Sequence, residues 1–149
     1  MKKTNNKGFS LVELIIVIAI MAILIGVLAP QYIKYVEKSR ISADKDMIDS
    51  LTKAVQTACT DDDYYDDLNE NDTVVIDDTT GITAKGALAD AIDEFYGTTG
   101  GVDKSKTFKS KAFDKVTVTI TVTKDTEKSV YYAVVTDSKN GAYDPANFK

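Results

Sequence analysis

Residues 9–29 read FSLVELIIVIAIMAILIGVLA, and this stretch decides the fold. Ser10 and Glu13 are its only polar residues. A helix of this length rises about 30 Å, which matches the hydrocarbon thickness of a bilayer. Helices buried in soluble domains are seldom so uniformly apolar over this distance. The stretch therefore predicts a helix that inserts into a membrane.

The eight residues before this stretch, MKKTNNKG, are polar and basic. Under the positive-inside rule they stay in the cytoplasm, and the chain after the helix lies on the outer side. A secretory signal peptide ends its apolar stretch in a small-x-small cleavage site, but none follows Ala22, and Pro30 comes directly after the last apolar residue. We therefore expect the helix to stay with the protein.

The overall charge argues against nucleic acid as an obligate partner. The chain of 149 residues carries a net charge of -5, and loss of Lys2, Lys3 and Lys7 with the leader would take it to -8. Phosphate binding needs a positive field over the contact face. The chain is also long enough for only one small domain after the apolar stretch.

The composition supplies little for enzyme chemistry. Histidine and tryptophan are absent and Cys59 is the single cysteine, so the commonest general base and any intramolecular disulfide are missing. We predict no enzyme activity, no catalytic residues, no metal and no cofactor. Cys59 is interpreted as a small apolar residue on a helix face, with a cross-linking thiol as the alternative. An alternative function is a catalytic or sensor domain tethered to the membrane by one helix. No catalytic constellation in the sequence supports this alternative.

The positions of Gly8 and Glu13 set the segment apart from an ordinary membrane anchor. A basic leader ends in Gly8, and a carboxylate follows at the fifth position of the apolar run. From Lys7 to Pro30 the sequence KGFSLVELIIVIAIMAILIGVLAP resembles very closely the signature of type IV pilins, whose precursors carry a class III signal peptide. Many pilins close a C-terminal loop with a disulfide. This chain cannot, and so it resembles the disulfide-free major pilins of Gram-positive bacteria.

The resemblance implies roles for five residues. A membrane-bound prepilin peptidase would cleave between Gly8 and Phe9 and then methylate the amine of Phe9. Glu13 would guide an incoming subunit into register by pairing with a neighbour's N-terminal amine. Gly26 and Pro30 match the region where the helix of assembled pilins loosens, and Pro30 is expected to kink the helix.

The chemistry of Glu13 agrees with a functional role. A charged side chain at bilayer depth costs roughly 2.5 to 3.5 kcal/mol, which makes an intramembrane carboxylate a functional candidate. Cleavage after Gly8 would create an ammonium group nearby as its natural partner. The alternative is that Glu13 lies close enough to the helix end to reach the headgroups.

Four segments are predicted along the chain: a cleaved leader (1–8), a transmembrane and filament-core helix (9–30), its amphipathic continuation (31–59) and a globular head (60–149). After Pro30, apolar residues recur at helical spacing as far as Cys59, which predicts one helix bent near the proline. The alternative is that Pro30 ends a separate helix.

The head is predicted to combine a few short strands with one short helix. We expect a strand at 73–76, a helix from Thr83 to Gly97 and an antiparallel pair at 115–123 and 130–136. Tyr143 and Phe148 of the tail are expected to pack on the sheet. The predicted fold class is α+β: a long N-terminal helix packed against a small antiparallel sheet, as in the pilin fold.

Two charged segments allow more than one interpretation. The acidic connection at 60–72 lacks the ligand spacing of a calcium loop and is interpreted as a solvated, mobile loop. A basic run from Lys104 to Lys115 is an ordinary solvated loop, a surface attracted to the acidic segment of an adjacent subunit, or a DNA-binding surface.

The predicted function is that of a structural subunit of a type IV pilus. The chain would enter the cytoplasmic membrane as a single-pass prepilin, N-terminus inside, and after cleavage would polymerise through its N-terminal helices into a surface filament for adhesion, twitching motility or aggregation. Expected partners are copies of itself, the membrane, the prepilin peptidase, an assembly ATPase and a platform protein. The alternatives are a pseudopilin of a type II secretion system and a minor or DNA-uptake pilin.

Overall fold

The computed structural model describes residues 8–128 and 130–138 and divides into two compact units, the first ending at Glu37 and the second beginning at Lys38. One helix, α1 (Leu11–Ala58), contributes to both units. It continues through Pro30, so the expectation of one long helix is confirmed and Pro30 does not end a separate one. The kink stays a prediction. Residues 1–7 of the leader and the tail with Tyr143 and Phe148 lie outside the described residues.

The second unit adds a five-stranded antiparallel sheet to the C-terminal half of α1. The sheet order is β3-β2-β1-β4-β5. This arrangement confirms the predicted α+β class. The elements after α1 are α2 (Asp62–Tyr65), β1 (Thr73–Asp77), β2 (Gly81–Ala84), α3 (Leu88–Tyr96), β3 (Val102–Asp103), a 3-10 turn (Lys111–Phe113), β4 (Val118–Asp125) and β5 (Val130–Asp137).

The centre of the sheet follows from strict alternation in β4. Val118, Ile120 and Val122 are buried, while the threonines between them lie on the opposite face. Pairing places Ile120 opposite Val74 and Val118 opposite Ile76, so β1 and β4 present their apolar residues to the same core. A shift of one residue would turn every apolar side chain outward, and this fixes the register.

The second half of α1 completes the core. Ile48, Leu51 and Val55 recur at helical spacing and are fully buried. They share one cluster with the apolar residues of the sheet and with Leu88 and Ile92 of α3. Burial of an aliphatic side chain of this size contributes about 1.5 to 3 kcal/mol, so this stripe is the main reason why the head folds on the helix.

A buried carboxylate fixes the segment before β4 to α1. Asp44 is only 2% exposed. Its two oxygens accept the backbone N–H groups of Lys109, at 2.9 and 3.2 Å, and of Ser110, at 2.8 Å. Charge-assisted bonds of this kind satisfy both the buried carboxylate and two amides that would otherwise lack partners.

The predicted helix from Thr83 to Gly97 begins too early. Thr83 lies in β2, paired with Val75 and Val102, and α3 starts only at Leu88. Gly86 separates the two elements with φ 70°, a left-handed conformation that no α-helix contains. The predicted end is correct, because Gly97 has φ 83° and its N–H donates to the carbonyl of Asp93.

The acidic connection is more ordered than the predicted loop. It contains the single turn of α2, where the side chain of Asp61 accepts the N–H of Asp63 at 3.0 Å. Leu68 is buried, and the Tyr131 hydroxyl donates to its carbonyl at 3.1 Å. These contacts anchor the connection to the head, while its aspartates at 62, 63, 66 and 67 stay exposed.

The Asp44 contacts generate a stability prediction. Asp44→Ala should lower the free energy of unfolding by about 1 to 3 kcal/mol, because the buried N–H of Ser110 and the part-buried N–H of Lys109 lose their acceptor. Asp44→Asn keeps one acceptor oxygen and should lose less. Asp46→Ala, an exposed aspartate on the same helix, serves as the control and should change stability by less than about 0.5 kcal/mol. Denaturant unfolding of the detergent-solubilised chain, followed by tyrosine fluorescence, measures the difference. Equal stability of all three variants would contradict the anchoring role.

Asp77 generates a pH prediction. Hydrogen bonds from the side chain and the N–H of Thr79, with further bonds from Thr117 and Thr80, lower its pKa to about 2. A lowered pKa adds stability above the unfolded value of 3.8, and that stability is lost as the pH falls from about 4 to about 2. The destabilisation by Asp77→Asn should therefore be largest at neutral pH and shrink towards pH 2. A pH-independent effect in unfolding titrations would refute this.

Candidate processing and assembly site

The start of α1 is built around Ser10 and Glu13. Residues 8–10 are not helical. The Ser10 carbonyl accepts the N–H of Leu14 at 3.2 Å, and the Glu13 carboxylate accepts the N–H of Ser10 at 3.4 Å. This is half of a capping box, in which the third helical residue reaches back to the N-cap. The S-x-x-E spacing that signals it is visible in the sequence, so this capping role of Glu13 could have been predicted.

None of the described residues of the chain covers the apolar half of α1. Every large apolar side chain from Phe9 to Leu28 is at least 46% exposed, and Phe9 itself is 82% exposed. An apolar surface of this size is not stable in water and needs lipid or protein around it. The Glu13 carboxylate lies on this same uncovered helix.

One helix of the described residues is long and apolar enough to cross a membrane, judged by length and composition. An 18-residue window of α1 has a mean hydropathy of 3.1, and none of it is buried.

Gly26 and Pro30 lie one helical turn apart. Pro30 has no N–H to give to the carbonyl of Gly26, four residues earlier, so the helix lacks that hydrogen bond. A Cβ atom on Gly26 would meet nothing within 4 Å, and the folded chain therefore does not itself require a glycine there. The pair lies about 20 Å along the helix from Glu13, at a separate position from the helix start.

Cys59, the single cysteine of the chain, is buried in the head. Burial raises the pKa of the Cys59 thiol to about 11, which keeps it protonated at neutral pH and a poor nucleophile. Within residues 8–128 and 130–138, no group of three or more His, Cys, Asp or Glu side chains is placed to hold a metal ion.

Comparison with known proteins gives a family match that includes the start of α1. Residues 3–29 match the prokaryotic N-terminal methylation motif. The chain carries a type IV prepilin signal. The predicted resemblance is thereby confirmed, and so is the localisation: a membrane-anchored precursor that later belongs to a surface pilus.

Two relatives extend the match beyond the motif. The chain is 37% identical over 59 residues to the type IV major fimbrial protein FimA of Dichelobacter nodosus. It is 37% identical over 63 residues to the type IV major pilin protein PilA of Myxococcus xanthus. The homologous part covers 40% and 42% of this chain, but only 38% of FimA and 29% of PilA. No solved structure matches the chain at a significant level.

The surroundings of Gly8 generate a processing prediction. A Cβ atom on Gly8 would meet nothing within 4 Å, so Gly8→Val should leave the folded chain unchanged. A peptidase that holds an extended strand at the membrane surface should still reject the branched side chain, because the bare backbone of glycine is what permits close approach. We expect the variant to accumulate at precursor size in immunoblots of membranes. Gly26→Val, which also meets no neighbour, is the control and should be processed. Mature-sized Gly8→Val chain would contradict this prediction.

Proposed function

We propose that this chain is a structural subunit of a type IV pilus. It enters the cytoplasmic membrane as a prepilin, is cleaved between Gly8 and Phe9, is methylated on Phe9, and polymerises through the apolar half of α1. The observation that carries this proposal is the position of Glu13, a carboxylate at the start of an uncovered apolar helix that bears the methylation motif.

The apolar helix can hold a filament together. Apolar contacts alone, however, hardly fix the position of one copy relative to the next. Lipid tails are as apolar as leucine, so exchange of lipid for neighbouring helices yields little hydrophobic free energy and little directional preference. A polar contact has to select the position of each incoming copy. Glu13 is the only ionisable side chain between residues 9 and 29, and it is the group that can do so.

Cleavage after Gly8 creates the partner for this carboxylate. The new ammonium group is on Phe9, next to Ser10, whose N–H lies 3.4 Å from the Glu13 carboxylate. In a free mature subunit the carboxylate can be satisfied by its own chain. During assembly it exchanges this contact for the Phe9 amine of a neighbour, because a charge that reaches the apolar interior unpaired is strongly destabilising.

The relatives favour a pilus over a secretion pseudopilus. FimA and PilA are named as a major fimbrial protein and a major pilin. In this proposal the head forms the outer surface of the filament and serves adhesion, twitching motility or aggregation, with a structural and not a catalytic role. The prepilin peptidase, an assembly ATPase and a platform protein supply processing and polymerisation.

Two substitutions of Glu13 test the assembly role. Glu13→Ala removes both the charge and the cap, and Glu13→Gln removes the charge but keeps an acceptor that can cap Ser10. If the charge guides assembly, both variants should be cleaved normally and both should give few filaments. Electron microscopy of cells that express each variant in a deletion background measures the outcome.

The deletion strain is the negative control of this experiment, and the strain complemented with the unaltered chain is the positive control. The deletion strain should lack the filaments, and the complemented strain should regain them. Normal piliation of Glu13→Gln with loss only in Glu13→Ala would reduce Glu13 to a helix cap. Normal piliation of both variants would overturn the pairing.

A further inference from the structure

The strand β5 forms one edge of the sheet. Within residues 8–128 and 130–138 the order of the sheet ends at β5, and no strand lies beyond it. An edge strand presents a row of backbone N–H and C=O groups that serves as a template for pairing with another segment. Proteins protect such edges with very short strands, lysine, proline or a bulge. The opposite edge, β3, is protected in this way, because it is only two residues long.

β5 has none of these protective features. Its sequence, VYYAVVTD, contains neither lysine nor proline. It pairs with β4 over eight residues without a bulge, from Asp137 opposite Val118 to Val130 opposite Asp125. Val130 and Tyr132 are 45% and 47% exposed. A long, regular and apolar edge of this kind favours pairing with a further strand.

The ladder between β4 and β5 decides which backbone groups of β5 face outward. The N–H of Ser138 donates to the carbonyl of Thr117 at 3.0 Å. Bonding alternates along an antiparallel pair, so even-numbered residues of β5 bond to β4 and odd-numbered ones turn their N–H and C=O groups to the outer edge. The residues whose backbone groups face outward are Tyr131, Ala133, Val135 and Asp137.

The side chains of β5 also divide into two sets. Tyr131, Ala133 and Val135 are partly buried and pack against the core of the head. Ala133 lies opposite Val122, which is buried. An apolar side chain beside Ala133 on a further strand would therefore extend the core at this edge.

The sequence after β5 contains a hairpin signal. Residues 139–149, which lie outside the described residues, read KNGAYDPANFK. Asn-Gly is strongly preferred in the two-residue turn of a β-hairpin, because both positions take a positive φ. In such a turn Lys139 and Ala142 form a hydrogen-bonded pair. Lys139 is odd-numbered, so this turn continues the set of backbone groups that β5 turns outward.

We propose that residues 142–148 pair with the outer edge of β5 as a sixth strand, joined to it by a turn at Asn140 and Gly141. In this register Ala146 lies opposite Val135, and Phe148 lies opposite Ala133 on the core face. The interaction lies within one chain and does not depend on the proposed function.

Pro145 supports this register. Proline has no N–H and is tolerated in an edge strand where the N–H would face away from the partner. In the proposed register Pro145 lies opposite Thr136, an even-numbered residue whose backbone bonds to β4. The missing N–H therefore faces away from β5. A shift by one residue would place the proline at a bonding position and turn Phe148 away from the core.

One pair opposes this register. Asp144 lies opposite Asp137, and like charges directly opposite each other are unfavourable. The pair is next to the turn, where the chain connection itself keeps the strands together. The apolar contact between Phe148 and Ala133 lies at the other end of the proposed strand, where no connection helps.

The competing occupant of the edge is β5 of a second copy. An uncovered apolar edge joins proteins edge to edge. A sixth strand from the same chain would prevent this association between heads, because it occupies the backbone groups that a second copy would need.

A pair of cysteines tests the register in the detergent-solubilised full chain. All variants carry Cys59→Ala, which removes the native thiol. Val134→Cys with Asn147→Cys occupies a directly opposite, non-hydrogen-bonded pair, where Cα atoms are about 4.5 Å apart and a disulfide fits. Val134→Cys with Ala146→Cys is the matched control, because its second thiol faces the other side of the sheet. In a glutathione redox buffer, the first variant should form the intramolecular disulfide at least about tenfold more than the control, as measured by mass spectrometry.

Amide hydrogen exchange gives a second measurement on the full chain. Ala146→Pro removes the N–H that bonds to the carbonyl of Val135, so the N–H groups of Val135 and Ala133 should exchange at least about tenfold faster than in the parent. Asn147→Pro is the matched control: its missing N–H faces away from β5, and exchange should stay slow. The N–H of Val134 bonds to β4 and should be unchanged in both variants.

The outcomes separate the possible occupants. Equal disulfide yields in the two cysteine variants, or exchange at Ala133 and Val135 as fast in the parent as in Ala146→Pro, would overturn the sixth strand. A disulfide between two chains that Val134→Cys forms by itself would assign the edge to a second copy instead. None of these measurements requires filaments, so failure of this inference and failure of the proposed function are distinguishable.

Discussion

The rest of the structure depends on one constraint: the first half of α1 is an apolar surface that no part of the chain within residues 8–128 and 130–138 covers. Every large side chain from Phe9 to Leu28 is at least 46% exposed, so the helix requires lipid or other protein around it. Such a surface is cohesive but not specific. Direction and register have to come from the few polar groups that the helix carries, which makes Glu13 and the new amine at Phe9 the decisive pair in this account.

The second half of the same helix forms part of the core of the head. Ile48, Leu51 and Val55 bury their side chains under the sheet, and Asp44 holds the segment around Lys109 by its backbone. The head is therefore built on the second half of α1. In the proposed filament, the apolar half of α1 makes the contacts between copies, and the second half of the helix carries the head.

Long, strongly patterned features were predictable from the sequence, and short ones were not. The 48-residue helix, the alternating strand β4 and its partner β5 follow from periodicity sustained over many residues. Thr83 was misplaced in a helix because β2 has only four residues, too few to show an alternation. The anchoring of Lys109 by Asp44 joins residues 65 positions apart, and no local pattern signals such a bond. The roles proposed for Gly8, Phe9 and Glu13 rest on resemblance and stay predictions, whereas the capping contact of Glu13 could be predicted from the spacing to Ser10 alone.

The most direct test of the central claim is mass spectrometry of filaments sheared from the cell surface. The account predicts that they consist mainly of this chain, that its first residue is Phe9, and that the N-terminal amine carries one added methyl group. Filaments built from the chain with residues 1–8 still attached would contradict it, because the Phe9 amine would then not exist to pair with Glu13. Filaments that lack the chain altogether would contradict it equally.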